Sequence, residues 1–263
     1  MTWLGLAGKR VVITGAGGGI GGAIAKSFAA EGATPYLLDR SQDSANALAA
    51  EISATHKVPA VGIACDLSDP AAVAKAAQFV DAEGGADILI KCAAILRAGG
   101  LETLSLADWQ AMLQVNLTGY LSASQAFGQN MLKRGKGALV HIASIAATQP
   151  QPMSGAYSVS KAATVMMSRQ LSAEWGARGV RSNCVSPGLV QTPMSAAFYA
   201  DPEVKRKREA MVPLQRIAGP QDMADVALFL ASDRAGYITG QDIVGDGGLS
   251  QSLMGLVPRP GFS

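Results

Sequence analysis

Apolar runs alternate with helix-like patterns along the whole chain. Seven of these runs are typical of strands, and most of them lack the polar alternation of a half-exposed strand. Because strands covered on both faces carry such continuous runs, the pattern predicts a parallel sheet. The runs are RVVITG, TPYLLDR, AVGIACD, ADILIKCAA, GALVHIAS, VRSNCVSPG and GQDIVGDGG.

Helical patterns separate these runs. Ile20, Ile24 and Phe28 recur at every fourth position, which predicts one helix face directed at the core. Ser105 and Asp108 form a capping pair that predicts the start of a helix carrying Trp109 to Leu132. Strands alternating with helices, without a linker or repeat, predict an α/β fold: one doubly wound domain over residues 1–263.

The segment from Leu189 to Ala218 is the least regular part of the pattern. Pro193, Pro202 and Pro213 are spread along it. A long irregular insertion in a compact domain is usually functional. We therefore expect a substrate lid over about residues 189–218.

Composition and charge narrow the class of protein. The 263 residues are 49% hydrophobic and 16% charged, which excludes a disordered chain. The net charge is only +2, and the run Lys205-Arg206-Lys207-Arg208 is expected to be a solvated helix face, so no nucleic-acid partner is predicted. No signal peptide or membrane span is predicted, and three unclustered cysteines indicate free thiols in the cytoplasm without a metal site.

A glycine-rich turn, TGAGGGIG from Thr14 to Gly21, follows the first strand and opens the first helix. Glycines there allow a tight turn and close approach of the backbone to a ligand, and the helix start favours a phosphate. No Gly-Lys-Ser/Thr follows, so an NTPase P-loop is excluded. Taken alone, the turn could also be purely structural.

An acidic residue, Asp39, ends the second strand, where a carboxylate can accept hydrogen bonds from an adenosine ribose. It could also be an ordinary turn aspartate. Together with the glycines it predicts a bound dinucleotide. The carboxylate would repel a 2′-phosphate, so NAD is favoured over NADP, although Arg40 could pair with that phosphate.

A tyrosine and a lysine four residues apart, Tyr157 and Lys161, share one helix face. A nearby ammonium lowers a phenol pKa, which would make Tyr157 a general acid/base. Ser144 closes a strand and should lie at the carboxyl edge of the sheet, where open α/β sheets bind ligands. Singly, the pair could be a surface feature and the serine a turn residue.

The order of these motifs resembles the short-chain dehydrogenase/reductase family over essentially the whole chain: TGAGGGIG, Asp39, Asn116 in QVNLTG, Ser144, YSVSK and the segment SPG. The resemblance implies a Rossmann-like, mostly seven-stranded parallel sheet. It also implies that Tyr157 exchanges a proton with the substrate oxygen, while Lys161 binds the nicotinamide ribose.

The resemblance further implies that Ser144 hydrogen-bonds the substrate and that Asn116 holds a relay water, although an asparagine there could simply bend a helix. The other positions that match the family's cofactor site are Thr14, Gly15, Gly19, Ile20, Gly21, Asp66, Ala93, Pro187, Gly188, Val190 and Thr192. The expected substrate pocket contains Ser144, Ala146, Gln149, Met153, Tyr157, Leu189, Met194 and Phe198, with Ala94 and Ile95.

One segment departs from the family pattern. Lys91-Cys92-Ala93-Ala94 stands where the family usually has Asn-Asn-Ala-Gly. A lysine at this strand end should be largely buried, where an unpaired ammonium is costly. Lys91 must therefore reach outward to solvent, find an acidic or carbonyl partner, or belong to an altered cofactor site.

These features predict an NAD-dependent oxidoreductase that interconverts a secondary alcohol, such as a polyol, sugar or cyclic alcohol, and its ketone. One alternative is an NADPH-dependent ketoreductase such as a 3-oxoacyl reductase. Another is a non-catalytic dinucleotide sensor or scaffold. The apolar C-terminal segment LSQSLMGLVPRPGFS is expected to pack onto a neighbouring copy, and the resemblance implies a homotetramer.

Overall fold

The computed structural model describes residues 3–257 and 261 of the chain. Its centre is one seven-stranded parallel sheet with the strand order β3-β2-β1-β4-β5-β6-β7. All seven predicted strands are confirmed. They are β1 (Arg10–Thr14), β2 (Thr34–Asp39), β3 (Val61–Ala64), β4 (Ile88–Lys91), β5 (Gly137–Ile142), β6 (Val180–Pro187) and β7 (Asp242–Gly245).

Helices cover both faces of the sheet, so the doubly wound α/β prediction is confirmed. One core lies under α1, α2 and α8, and the other under α3, α5 and α6. The α-helices are α1 (Gly19–Ala30), α2 (Gln42–His56), α3 (Pro70–Ala82), α4 (Leu106–Leu113), α5 (Gly119–Arg134), α6 (Tyr157–Trp175), α7 (Pro202–Met211) and α8 (Pro220–Ala231).

Strand β1 shows why the apolar runs are continuous. Val11 and Ile13 enter the core beneath α1 and α8, whereas Val12 enters the opposite core. All three side chains are fully buried because each face of the strand is covered by helices. The run therefore marks a central strand, as expected for a parallel sheet.

The helix predicted from the Ser105 cap is interrupted. The Ser105 hydroxyl accepts a hydrogen bond from the Asp108 backbone N–H, as predicted, and α4 begins there. Residues Gln114–Thr118 then form a π-helical segment before α5. The extra residue in this turn displaces the helix register at Asn116, and such bulges are frequent at functional sites.

The 189–218 insertion is more regular than its prolines predicted. It contains a 3₁₀ helix, Pro193–Tyr199, and then α7. The signal for α7 was present in the sequence: Asp201 is a helix N-cap, and Pro202 occupies the first turn, where proline is tolerated. The two ends of the insertion pair with each other through a bridge between Val190 and Ala218.

The C-terminal segment runs from β7 through two short 3₁₀ helices, Leu249–Gln251 and Leu253–Leu256. Leu253 and Met254 are exposed on the single chain. The prediction that this tail packs onto a neighbour concerns also residues 258–260, 262 and 263, which lie outside the described residues. Within residues 3–257, no helix has the length and apolar character needed to cross a bilayer.

Candidate active site

The sheet order reverses at β1, which lies between β2 and β4. Open α/β sheets bind ligands at the carboxyl ends of the strands at such a point. The predicted cofactor and catalytic residues lie at the carboxyl ends of β1 to β6 or in the segments that follow them, except Asn116, which lies in the π-helical segment between α4 and α5. The fold therefore gathers them along one edge of the sheet.

The glycine turn packs directly against the loop that follows β4. Gly15 has a φ of +66°, and a Cβ placed on it would lie 2.6 Å from the Ala93 Cα atom. A Cβ on Gly21 would overlap the Gly15 carbonyl oxygen. The Thr14 hydroxyl accepts hydrogen bonds from the backbone N–H groups of Cys92 and Ala93. The two predicted cofactor segments thus form one rigid unit.

Asp39 lies beside this turn. Its carboxylate accepts a hydrogen bond of 2.9 Å from the Gly17 N–H and another of 3.1 Å from the Ser41 N–H. Arg40 is exposed and has no hydrogen bond or ion pair within residues 3–257. Asp66 accepts two hydrogen bonds from Ser68, one from its N–H and one from its hydroxyl, in the turn after β3.

The start of the 189–218 insertion lies over the first helix. A Cβ on Gly19 would lie 3.0 Å from Pro193 Cδ and 3.1 Å from Thr192 Cβ. Thr192 caps the 3₁₀ helix that follows it. Residues Pro187, Gly188 and Val190 lead from the end of β6 into this contact. The structure therefore brings the predicted nicotinamide segment to the glycine turn, with Ile20 in the first turn of α1.

The candidate catalytic side chains come from β5 and α6. Ser144 caps a short 3₁₀ turn after β5, and its hydroxyl accepts a hydrogen bond from the Ala146 N–H. Tyr157 begins α6 and is partly buried. The Lys161 ammonium lies 5.5 Å from the centre of the Tyr157 ring and donates a 2.8 Å hydrogen bond to the Ile142 carbonyl oxygen.

The pKa values of this pair differ from the expectation. Burial raises the pKa of Tyr157 above its ordinary value, and the neighbouring Ser144 hydroxyl acts in the opposite direction. Burial lowers the pKa of Lys161 to about 8. The sequence predicted that the ammonium would depress the phenol pKa; in the unliganded chain, loss of hydration is the larger effect.

Asn116 is completely buried in the π-helical segment. Its side chain accepts a 2.9 Å hydrogen bond from the Ile95 N–H and donates to the Ile95 carbonyl and to the Ser160 hydroxyl. The Ser160 hydroxyl in turn donates to the Tyr157 carbonyl. Asn116 therefore ties the loop after β4 to the first turn of α6.

The expected substrate-pocket residues are less enclosed than the cofactor residues. Ala146 is buried and Leu189 is partly buried. The side chains of Met153, Met194 and Phe198 are 65%, 61% and 48% exposed. Gln149 is also exposed. These side chains reach solvent on the single chain, so the pocket is open on that side.

Lys91 does not reach outward to solvent, so that expectation was wrong. It is completely buried and directed at α5, where its ammonium nitrogen contacts the Ser124 hydroxyl and the Tyr120 carbonyl, the latter at 3.3 Å. The expectation of a carbonyl partner is confirmed. Burial holds the pKa of Lys91 well below its ordinary value.

Sequence reasoning missed three side chains around this site. Ser160 joins Asn116 to α6, and Thr164 donates a 3.1 Å hydrogen bond to the Asn116 carbonyl. The Tyr120 ring lies near both buried amines, with its centre 5.8 Å from that of Lys91 and 5.6 Å from that of Lys161. The spacing of Ser160 and Thr164, three and seven residues after Tyr157, could have placed them on the same helix face.

The residues at this edge fit a dinucleotide. The exposed Gly17 and Gly18 leave the backbone at the start of α1 uncovered, where a helix terminus attracts a phosphate. Side chains at Gly15 or Gly21 would collide with the backbone that shapes this turn. Asp39 closes the far end with a carboxylate that suits a ribose.

Comparison with known proteins agrees with this geometry. A family described as enoyl-(acyl carrier protein) reductase matches residues 15–250. The D-threitol dehydrogenase of Mycolicibacterium smegmatis is 42% identical over 92% of this chain and 93% of its own length. The galactitol 2-dehydrogenase (L-tagatose-forming) of Cereibacter sphaeroides is 38% identical over 92% of this chain and 95% of its own length.

Solved structures share the fold as well. The L-sorbose reductase of Gluconobacter frateurii, crystallised with NADPH and L-sorbose, superimposes with a TM-score of 0.91 at 31% identity, over 96% of this chain and 100% of that one. Such similarity over nearly the whole length does not support the reading as a non-catalytic scaffold. The chain belongs to the short-chain dehydrogenase/reductase family and is an NAD(P)-dependent oxidoreductase that acts on CH–OH groups.

Proposed function

We propose that the protein interconverts a polyol or sugar alcohol and its ketose, with Tyr157 as the general acid/base. The observation that carries this proposal is the placement of Ser144, Tyr157 and Lys161 at one sheet edge beside the glycine turn. The names of the D-threitol and galactitol dehydrogenases and of the L-sorbose reductase support the substrate class.

In this proposal the protein's own side chains transfer one proton to or from the substrate oxygen. The bound nicotinamide cofactor accepts or donates the hydride. Tyr157 takes the proton of the alcohol during oxidation and returns it during reduction. The Ser144 hydroxyl holds the substrate oxygen, and the Lys161 ammonium stabilises the phenolate. Because burial opposes the phenolate, Lys161 must be charged for Tyr157 to act as a base.

The remaining groups position these side chains. The hydrogen bonds from Asn116 to Ser160, and from Ser160 to the Tyr157 carbonyl, fix the first turn of α6. Thr14, Ala93 and Thr192 would contact the cofactor, with Asp66 beside the adenine. We further propose that residues 189–218 close over the substrate, because Met194 and Phe198 present exposed apolar side chains there.

We propose NAD as the preferred cofactor. Asp39 is held beside Gly17, where its charge would repel a 2′-phosphate. The opposing consideration is Arg40, and the structural relative with NADPH shows that this fold also accepts the phosphorylated form.

Titration of the purified protein with NADH and NADPH tests this choice by nicotinamide fluorescence. Tighter binding of NADH, and a relaxed preference in Asp39→Ala, are expected. Tighter binding of NADPH by the natural chain would contradict the proposal and favour a ketone reductase.

The reaction is tested by following NADH formation with threitol, galactitol and related polyols. Tyr157→Phe should lower kcat by about 10²–10⁴-fold, the range typical of a lost general acid/base, while cofactor still binds. Tyr237→Phe is the matched control, because Tyr237 is fully exposed and remote from the sheet's carboxyl edge. Equal activity of the two variants would contradict the role of Tyr157.

We also propose a homotetramer. Apolar side chains are exposed on α5, α6 and β7 of the single chain, among them Leu121, Met166, Ile243 and Val244. Clusters of this kind mark association surfaces. Light scattering at micromolar concentration should give four times the mass of the chain, and a monomer would contradict the proposal.

A further inference from the structure

Two buried amines flank one aromatic ring behind the proposed catalytic site. Lys161 and Lys91 lie 5.6 Å and 5.8 Å from the centre of the Tyr120 ring, and all three side chains are fully buried. Lys161 donates to the Ile142 carbonyl, and Lys91 contacts the Tyr120 carbonyl and Ser124. Within residues 3–257 neither amine has a carboxylate partner.

The titratable groups around Lys91 come from every element packed against it. Lys91 is paired in register with His141 on β5, and His141 is paired with Cys184 on β6. From the other elements, the groups are Tyr120 on α5, Tyr157 and Lys161 on α6, and Cys92 after β4. The carboxylate nearest in this row is Asp242 on β7, which accepts a hydrogen bond from Ser186.

This cluster cannot easily hold two positive charges. Each ammonium loses its hydration on burial, and no anion in the row directly offsets that loss. Lys161 has the better acceptor, a carbonyl at 2.8 Å against 3.3 Å for Lys91. Burial lowers the pKa of both amines, that of Lys161 to about 8, in agreement with a cluster that resists a second positive charge.

We propose that Lys91 is a positioning residue that tunes the charge at the nicotinamide site: it gains a proton as the pH falls and then adds a second positive charge behind Lys161. The inference rests on the proposed role of Lys161. A positive charge on Lys91 disfavours binding of the oxidised nicotinamide ring, which is cationic, but does not disfavour binding of the neutral reduced ring. Protonation of Lys91 therefore favours the reduced cofactor.

The size of this effect follows from Coulomb's law. Two unit charges about 10 Å apart, at an effective dielectric constant of about 20, change an equilibrium constant roughly tenfold. The ratio of the dissociation constants of oxidised and reduced cofactor should therefore rise by roughly three- to tenfold as the pH falls through the range in which Lys91 gains its proton.

The test measures both dissociation constants by calorimetry across that range for three proteins. The natural chain should show the rising ratio, and Lys91→Met should show a flat one, because methionine keeps the length without the amine. Lys75→Met, which removes an exposed lysine, should behave as the natural chain. A merely structural role of Lys91 would weaken both cofactor forms equally and leave the ratio unchanged.

A flat ratio in the natural chain, or the same rise in Lys91→Met, would overturn the proposal. If Lys91→Met fails to fold, Ser124→Ala serves instead: loss of the hydroxyl that contacts Lys91 should move the rise to lower pH, and an unmoved curve would overturn it. Lys161→Met tests the proposed function separately. Normal cofactor binding and turnover in that variant would contradict the role of Lys161, whereas the ratio of dissociation constants in the Lys91 variants tests the present proposal.

Discussion

The glycine turn and the lid meet at Gly19 and Thr192, yet they are held together in different ways. The turn is fixed by backbone contacts so close that a single added methyl group would collide. The proposed lid is more exposed, and the ion pairs of its helix α7, from Lys205 to Glu209 and from Lys207 to Glu203, lie within the helix itself. Exposed ion pairs of this kind contribute little to stability. The glycine turn is therefore sterically fixed, whereas the exposed helix of the proposed lid is less constrained.

The largest effect is expected from a substitution in the glycine turn. Gly21→Ala places a Cβ against the Gly15 carbonyl and should destabilise the fold by about 1–3 kcal/mol, the usual cost of overpacking, with a clear loss of cofactor affinity. Chemical unfolding and cofactor titration measure the two effects. Gly176→Ala is the control, since no heavy atom lies within 4 Å of a Cβ there. Similar stability of the two variants would show that the turn is not sterically fixed.

A second prediction concerns Lys91. Its folded-state pKa is lowered, so the unfolded chain binds the extra proton between that value and the unfolded pKa of about 10.4. Stability of the natural chain should therefore rise with pH across this window. Lys91→Met should remove about 1.4 kcal/mol per pH unit of that slope and raise the melting temperature at neutral pH.

Melting curves at several pH values check this slope. Lys75→Met, which removes an exposed lysine, should keep the pH dependence of the natural chain. Parallel stability curves for the natural chain and Lys91→Met would mean that Lys91 keeps its proton when folded.

The smallest expected effect lies in the lid. The Arg208 guanidinium stacks over Phe198 and Tyr199, 5.2 Å and 5.1 Å from the ring centres, and so joins the two lid helices. Arg208→Gln should weaken the contact between the two helices by about 0.5–1 kcal/mol, the usual contribution of a cation–π contact at a partly exposed site. We expect a few-fold rise in KM with little change in melting temperature.

Arg206→Gln is the control for this effect, because Arg206 is an exposed arginine of the same helix. A large drop in melting temperature in Arg208→Gln alone would show that the lid is as tightly integrated as the glycine turn.

The sequence predicted the sheet and the proposed site well because both depend on local signals. Strand β4 is recognisable from its apolar run alone, and Tyr157 and Lys161 from their spacing on one helix. The partners of Lys91 were not predictable, because they depend on how α5 is placed across the sheet. The π-helical turn at Asn116 was not predictable either, because it depends on the contacts that the Asn116 side chain makes with the loop after β4 and with α6.

The structure of the proposed lid was harder to predict from the sequence. Its prolines suggested irregular chain, although Asp201 and Pro202 together are a helix start. The stacking of Arg208 on Phe198 joins residues ten positions apart through a turn whose path no local pattern specifies. Contacts between charged groups and aromatic rings on an exposed surface do not alter the order of apolar and polar residues along the sequence, so that order does not predict them.

The bridge between Val190 and Ala218 makes the lid a closed loop with a fixed base. The Gln191 N–H donates to the Ala218 carbonyl, and the Ala218 N–H donates to the Leu189 carbonyl, so the end that follows β6 and the end that precedes α8 are held together. Closing such a loop costs only about 0.6 kcal/mol more for each doubling of its length. Insertions and deletions between these anchors should therefore cost the fold little, so the proposed lid could change in length while the glycine turn stays unchanged.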